Sequence, residues 1–361
     1  MSSFFSSSSA DHPPRVEVIN PDVTTGHLHN LTPDQQAAFN AFKDILATSR
    51  LYSPPAHPDR PRPSHDEVTL LRFLRARRFD PKKAMKQFAD AEAWRAKHNV
   101  EPLYASFPVD EFEGARRFYP RWTGRRDKNG LPVYVYRLAS LTPPIQKELA
   151  AVPSERRYQR IVVLYETLTR FVFRLCSAHP RPIEPTPISS CTTIIDFDAV
   201  SLNLLWNLRS HLQEASTLAT ANYPETLSTI AVVNSPSFFP TVWGWIKNWF
   251  DEGTRRKIYI LGKDPGPTLR TLIHPKDLPT AYGGELEWKF EDEPALDDAT
   301  KELIGEMPKG PVIFEDGKVV RPVVPQPAEI PLPPSMPPSM PPSMPPSVPA
   351  SGTTTPKVSS E

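Results

Sequence analysis

Hydrophobic positions along the chain follow a helical period first and a strand period later. Val68, Leu71 and Leu74 recur at helical spacing and predict a helix to about Arg78, opened by a capping box at Ser64-His65-Asp66-Glu67. Asp80-Pro81 predicts the cap of a second helix, with Ala84, Phe88, Ala91 and Trp94 as its buried stripe and an end near His98. Upstream, Thr32-Pro33-Asp34-Gln35 opens a shorter helix through about Arg50, and a proline-rich linker runs from Ser53 to Pro63. From residue 131 the period changes. Residues 132–138 alternate as a strand, a long helical stretch covers about 154–178, and β-rich runs follow at 192–197, 229–234 and 257–262. Helical patterns at 201–221 and 240–251 separate those runs, so βαβ crossovers and a mainly parallel sheet are expected.

The expected fold class is therefore α/β, a small N-terminal all-helical lobe followed by a mainly parallel sheet flanked by helices. Four regions are expected: 1–63, mostly disordered with one short helix; 64–110, the helical lobe; 111–290, the α/β domain; and 291–361, an acidic, then proline-rich disordered tail. Composition adds the reason for the loose ends. The 361 residues include 45 prolines and only 14 glycines, and Pro-Pro-Ser-Met repeats between Pro333 and Met344 favour polyproline II, which buries no core.

A formal net charge of +1 removes the strong positive field that non-specific nucleic-acid binding needs. Two cysteines, Cys176 and Cys191, make neither a disulfide framework nor a metal-ligand spacing, which suits a reducing cytosol. The first residues lack the basic and apolar regions of a secretory signal, and no apolar run approaches ~18 residues, so membrane contact is expected to be peripheral.

A parallel sheet suggests a nucleotide enzyme, but G-x-G-x-x-G, G-x-x-x-x-G-K-[ST] and G-x-S-x-G are all missing, as are H-E-x-x-H and paired-cysteine metal patterns. His179 is expected in an exposed loop, His211 on a helix surface, and Asp196 as a cap for the following helix. No cofactor and no catalytic residue are expected. Two segments point to lipid. Arg72, Arg75, Arg77, Arg78, Lys82 and Lys83 crowd twelve positions, which suits anionic head groups as well as a solvated face. Between Phe238 and Phe250, three tryptophans fall in seven positions, and Phe239, Trp243, Ile246 and Phe250 share a helical face that suits a bilayer interface or the lid of an apolar cavity.

Residues 70–80, Phe118-Tyr119-Pro120, residues 127–134, residues 190–196, Asn222-Tyr223-Pro224-Glu225, residues 233–236 and Tyr282-Gly283-Gly284 occur in an order that resembles the CRAL-TRIO lipid-binding family, of the fungal phosphatidylinositol transfer type. The resemblance covers about residues 65–290. It implies a CRAL-TRIO domain with an apolar cavity, and a phosphatidylinositol head-group site at Arg78, Glu225, Thr254 and Lys257. A carboxylate there accepts inositol hydroxyls, and the cations suit the phosphodiester. A second lipid would be held by Tyr134, Tyr165, Cys191 and Thr193. Cys191 stands where the family pattern has a serine and Thr123 where it has a tyrosine, which counts against phosphatidylcholine and leaves room for a sterol-like ligand.

The gate and membrane contact would be Phe239, Trp243, Ile246 and Phe250. The resemblance implies transfer of phosphatidylinositol by exchange through a gated cavity, by a monomeric, non-enzymatic, cytoplasmic protein touching Golgi, endosome or endoplasmic reticulum membranes, with lipid kinases as receivers and no nucleic acid. Two alternatives stay open: a lipid-sensing scaffold whose proline-rich tail recruits a partner, and a small-molecule enzyme on a parallel sheet.

Overall fold

The computed structural model describes residues 18–55, 62–247 and 252–324, without the side chains of Trp245 and Ile246. The Pro-Pro-Ser-Met tail and Phe250 lie outside the described residues.

Helices come first: α1 (Pro33–Thr48), α2 (Glu67–Ala76), α3 (Pro81–Lys97), α4 (Val100–Ser106) and α5 (Val109–Ala115). The capping box of α1 forms as expected, with the Thr32 hydroxyl accepting the Gln35 N–H at 3.2 Å and Gln35 Oε1 accepting the Thr32 N–H at 3.0 Å. The cap of α2 differs. Asp66 accepts the Thr69 N–H at 2.7 Å, while the Ser64 hydroxyl accepts the N–H of Ser53 and closes the linker. Helix α2 stops at Ala76 because Arg78 and Phe79 both take positive φ, reversing the chain into α3, where Asp80 is the cap.

Phe39, Phe42 and Leu46 of α1 share one core with Leu70, Leu71 and Leu74 of α2 and Phe88 of α3. Helix α1 therefore belongs to the lobe, and the boundary expected at residue 64 moves upstream. Before α1, Ile19, Val23 and His27 are buried, and the Ile19 N–H donates to Thr271 Oγ1 at 3.0 Å.

The main sheet has the order β1-β2-β3-β4-β5, with β1 (Arg121–Arg126), β2 (Pro132–Arg137), β3 (Cys191–Asp196), β4 (Leu227–Val233) and β5 (Ile258–Gly262). Strands β2 to β5 are parallel; β1 is an antiparallel edge joined to β2 by a turn in which the Asp127 carboxylate accepts the N–H groups of Asn129 and Leu131. Around it lie α6 (Pro143–Ala151), α7 (Ser154–Thr167), a π-turn at Leu168–Val172, α8 (Phe173–Ser177), α9 (Leu202–Asn222), α10 (Phe239–Ile246), α11 (Glu252–Arg255) and α12 (Gly266–Leu272). The expected helix at 154–178 is thus continuous through a π-turn.

The chain from 291 to 324, expected as tail, carries α13 (Asp298–Ile304) and the hairpin of β6 (Ile313–Glu315) and β7 (Lys318–Val320). Leu296, Thr300, Val312, Ile313 and Phe314 are buried, and the Val312 carbonyl accepts the Tyr104 hydroxyl at 2.5 Å. Three-residue strands are too short to register as a period, which is why the pattern hid them. The same segment covers His179, which is buried with its Nε2 3.2 Å from Thr300 Oγ1, not exposed in a loop. Asp196 is likewise no helix cap. It is buried and accepts from the Asp198 N–H (2.9 Å), Asn234 Nδ2 (2.8 Å) and the Tyr282 hydroxyl (3.1 Å), while Ser201 caps α9.

Candidate functional site

One face of the sheet is a wall made by strand alternation. Tyr134 and Tyr136 of β2, Cys191, Thr193 and Ile195 of β3, Ile230 and Val232 of β4, and Ile258 of β5 stand at alternate positions, and all line one cavity of about 350 Å³. Helix α7 adds Ile161, Leu164 and Tyr165, and α9 adds Leu205, Leu212 and Ala215. Helix α10 closes it with Phe239, Val242 and Trp243, all buried, and Phe239 meets Phe197 edge to face at 5.1 Å between ring centres. Phe239 and Trp243 therefore face the cavity; of the helix expected over 240–251, residues 248–251 lie outside the described residues. Beside this closure the sequence reading missed Trp206 of α9. It is 54% exposed, lines the cavity and carries the Arg209 guanidinium 3.9 Å over its ring.

Tyr134, Tyr165, Cys191 and Thr193 come together on this wall. Tyr134 and Thr193 are cross-strand partners, and Tyr165 stacks on Tyr223 at 4.9 Å. Cys191 Sγ lies 3.6 Å from Thr193 Oγ1 and donates to the Thr226 carbonyl at 3.4 Å, while burial pushes its thiol up to about 12. Thr123 points elsewhere, its hydroxyl donating to the Val133 carbonyl at 3.1 Å.

A charged cluster forms where α2 meets the loop after α9. Glu225 takes a left-handed φ of 59° after Pro224, which aims its Oε2 at Lys257 Nζ (3.0 Å) and Arg75 Nη2 (3.2 Å). Lys257 is fixed by its backbone at the start of β5, its N–H donating to the Thr254 carbonyl at 3.0 Å and its own carbonyl accepting the Ile230 N–H at 2.8 Å. Arg78 points to solvent, 85% exposed, and pairs with Glu252 at 3.2 Å. The structure thus gathers Glu225, Thr254 and Lys257, leaves Arg78 paired beside them, and adds Arg75, which the sequence reading counted only as part of a basic run. Burial lowers the Arg75 pKa against the opposing pull of Glu225. His27 lies close enough to feel both charges, and burial, helped by Arg75, brings it down to about 4.

A second buried charge group is structural. Arg95 of α3 reaches Glu166 of α7 at 2.7 Å, and the Tyr223 hydroxyl donates to the same Glu166 oxygen at 2.6 Å, so the lobe is tied to the sheet domain. Burial would raise the Glu166 carboxyl, but Arg95 outweighs it and the pKa is lowered.

A mixed, mainly parallel sheet with a helical N-terminal lobe and one apolar wall is the architecture that the CRAL-TRIO resemblance implies. Comparison with known proteins agrees: residues 119–284 match the CRAL/TRIO domain and residues 38–90 the CRAL/TRIO N-terminal domain. The chain belongs to the CRAL/TRIO family. It is 32% identical over 272 residues to the Sec14 cytosolic factor of Schizosaccharomyces pombe, covering 74% of this chain and 88% of that protein. It is 30% identical to the SEC14 cytosolic factor of Eremothecium gossypii, over 72% of this chain and 79% of that one. The phosphatidylinositol/phosphatidylcholine transfer protein SFH7 of Arabidopsis thaliana is 31% identical over 73% of this chain, which spans 46% of that relative. Among solved structures, that of Sfh5 has the same fold, with a TM-score of 0.53 at 18% identity, covering 72% of this chain and 89% of that one. Among the described residues no helix is long and apolar enough to cross a membrane, and no group of His, Cys, Asp and Glu is placed to hold a metal ion.

Proposed function

We propose that the protein carries phosphatidylinositol between membranes, exchanging one lipid for another through the cavity closed by α10, without covalent chemistry. The observation that carries this reading is an apolar cavity walled by alternate sheet residues, among them Leu227 of β4 and Ile258 of β5, next along the chain from the Glu225 and Lys257 that form a charged cluster with Arg75. Acyl chains leave a bilayer for water at about 0.8 kcal/mol per methylene, on the order of 20 kcal/mol for a two-chain lipid. Only a comparably apolar pocket offsets that cost. Lys257 and Arg75 would take the phosphodiester, Glu225 the inositol hydroxyls, and Thr254 a further hydrogen bond, with Arg78 swinging in from Glu252.

At about 350 Å³ the cavity sits at the small end of ligand pockets, which run from about 300 to 1,000 Å³, so a two-chain lipid requires α10 to move. Opening exposes Phe239, Val242 and Trp243, at roughly 2 kcal/mol each, or about 6 kcal/mol in water. A bilayer surface removes most of that penalty, which makes opening conditional on membrane contact, with Trp206 at the rim as an interfacial anchor. Such a carrier works from the cytoplasm with transient membrane contact.

Vesicle-to-vesicle transfer tests the reading. Wild-type protein should move phosphatidylinositol, and Lys257→Ala should reduce that movement at least tenfold while the protein stays folded by circular dichroism; undiminished transfer by Lys257→Ala contradicts the head-group assignment.

A further inference from the structure

The seam between the helical lobe and the sheet domain encloses a separate, polar cavity of about 610 Å³ that shares no lining residue with the apolar one. Helices α2, α3 and α4 bound it on one side; α7, the π-turn and α8 bound it on the other. π-turns are frequent at functional sites, and this one brings Thr169 and Arg170 to the cavity. Three arginines of the lining are paired. Arg95 bonds Glu166 at 2.7 Å and also Glu101, Arg170 bonds Glu101 at 2.7 Å, and Arg174 bonds Asp66 at 3.1 Å.

Arg72 of α2 is the exception. It is 5% exposed and makes no ion pair among the described residues; its Nη1 has no hydrogen-bond partner there, and its Nη2 reaches the Thr69 hydroxyl at a long 3.4 Å. Burial lowers its pKa against the pull of Asp66 and Glu166, but a guanidinium stays charged at any physiological pH. A buried charge without a counter-ion is among the costliest groups a fold can hold. A water would give Nη1 an acceptor and still leave the charge unpaired.

We infer that Arg72 anchors a binding site for a small hydroxy acid, a soluble molecule with one carboxylate and several hydroxyls, held in the seam between the lobe and the sheet domain. The site stands apart from the lipid reading and needs nothing of it. A carboxylate meets the planar guanidinium through two parallel N–H···O bonds. One charge is the limit, because Glu92, Glu101 and Glu166 line the same space and repel a second. The same carboxylates favour hydroxyls. Glu92 is held only by His65 at 3.3 Å and Arg95 at 4.0 Å, which leaves it lone pairs for a ligand's O–H groups. The volume falls within the range of about 300–1,000 Å³ usual for small-molecule pockets.

Titration calorimetry of the full chain tests this with three six-carbon probes: gluconate with one carboxylate, sorbitol with none, and glucarate with two. Gluconate should bind saturably at one per chain, glucarate more weakly, and sorbitol not at all. Arg72→Met should abolish gluconate binding while its urea midpoint stays level or rises, since the charge it removes has no partner. Arg72→Lys keeps the charge but loses the planar fork, and should weaken gluconate by about tenfold. The inference is overturned by a wild-type chain that does not bind gluconate, or that binds sorbitol or glucarate equally well. Unchanged affinity in either variant overturns it too, and so does a sharp fall in the urea midpoint of Arg72→Met, which would show the charge already satisfied by the fold.

Discussion

The cavity wall lies within the sheet domain, the charged cluster at Glu225 joins that domain to the helical lobe, and the two are built on opposite principles. The wall comes from strand period, since residues two apart on β2, β3 and β4 point the same way, and any apolar side chain of fitting size serves there. The cluster has no period. It takes Arg75 from α2, Glu225 from a left-handed residue after Pro224, and Lys257 from the start of β5, and only the complete fold brings the two cations within 3.2 Å of Glu225. Under the proposed function, a wall built this way would tolerate many lipids, and a cluster built the other way would select among head groups. Capacity and selectivity should therefore be separable by mutation.

The largest expected effect on binding is on selectivity. Removing one partner from a hydrogen-bonded charge cluster costs about 2–5 kcal/mol. Glu225→Gln should accordingly weaken phosphatidylinositol binding by roughly a hundredfold, measured by titration with labelled lipid, while uptake of a lipid without inositol changes little. An equal loss for both lipids would merge the two regions into one function. Glu166→Ala tests stability instead. Breaking its buried pair with Arg95 should lower unfolding stability by about 3–5 kcal/mol in urea, and whatever protein remains folded should keep its head-group preference.

On the wall, Trp243→Ala opens the α10 closure. Transfer of every lipid should change together, and stability should fall by about 3 kcal/mol. A head-group-specific change would show that α10 takes part in selection.

The pH dependence is smaller. Buried His27 has its pKa brought down from 6.5 to about 4, so below pH 6.5 the unfolded chain binds a proton that the folded chain refuses. Its neutral form is accommodated above that pH, and stability is lost as pH falls from about 6.5 towards 4. At pH 5 the loss should be about 1–2 kcal/mol, and urea midpoints of wild type and His27→Gln, compared at pH 7 and 5, should show the variant losing less. The smallest effect belongs to the second-lipid wall, where Cys191→Ser supplies a stronger hydroxyl donor beside Thr193. Phosphatidylcholine uptake should rise a few-fold, the value of one neutral hydrogen bond of about 1 kcal/mol.

What could be read from the sequence follows the same division. β2 to β5 and the helix from 154 to 177 declare themselves because long apolar runs or clean periods survive in one dimension. β1 does not, since Arg121-Trp122-Thr123-Gly124-Arg125-Arg126 has no alternation and is held by its pairing with β2. The hairpin at 313–320 is hidden by strands only three residues long. Within the candidate site, Tyr134 and Thr193 sit on legible strands, Cys191 begins one just outside the expected run, and Glu225 and Lys257 follow from the family resemblance. Arg75 and His27 do not, because their proximity to Glu225 depends on the reversal at Arg78-Phe79 and on a segment, 18–30, with no pattern of its own. His211 looked like a surface residue because α9 is polar on more than one face; only the packing of Tyr119 against it places its Nδ1 in the cavity.

The central claim is that the cavity holds one phosphatidylinositol whose head group is read by Glu225 and Lys257. Native mass spectrometry of the protein after incubation with vesicles of phosphatidylinositol and phosphatidylcholine measures this directly. The account predicts one phosphatidylinositol per wild-type chain and its loss from Lys257→Ala; a wild-type chain that emerges without phospholipid, or a variant that retains the same phosphatidylinositol occupancy, would contradict it.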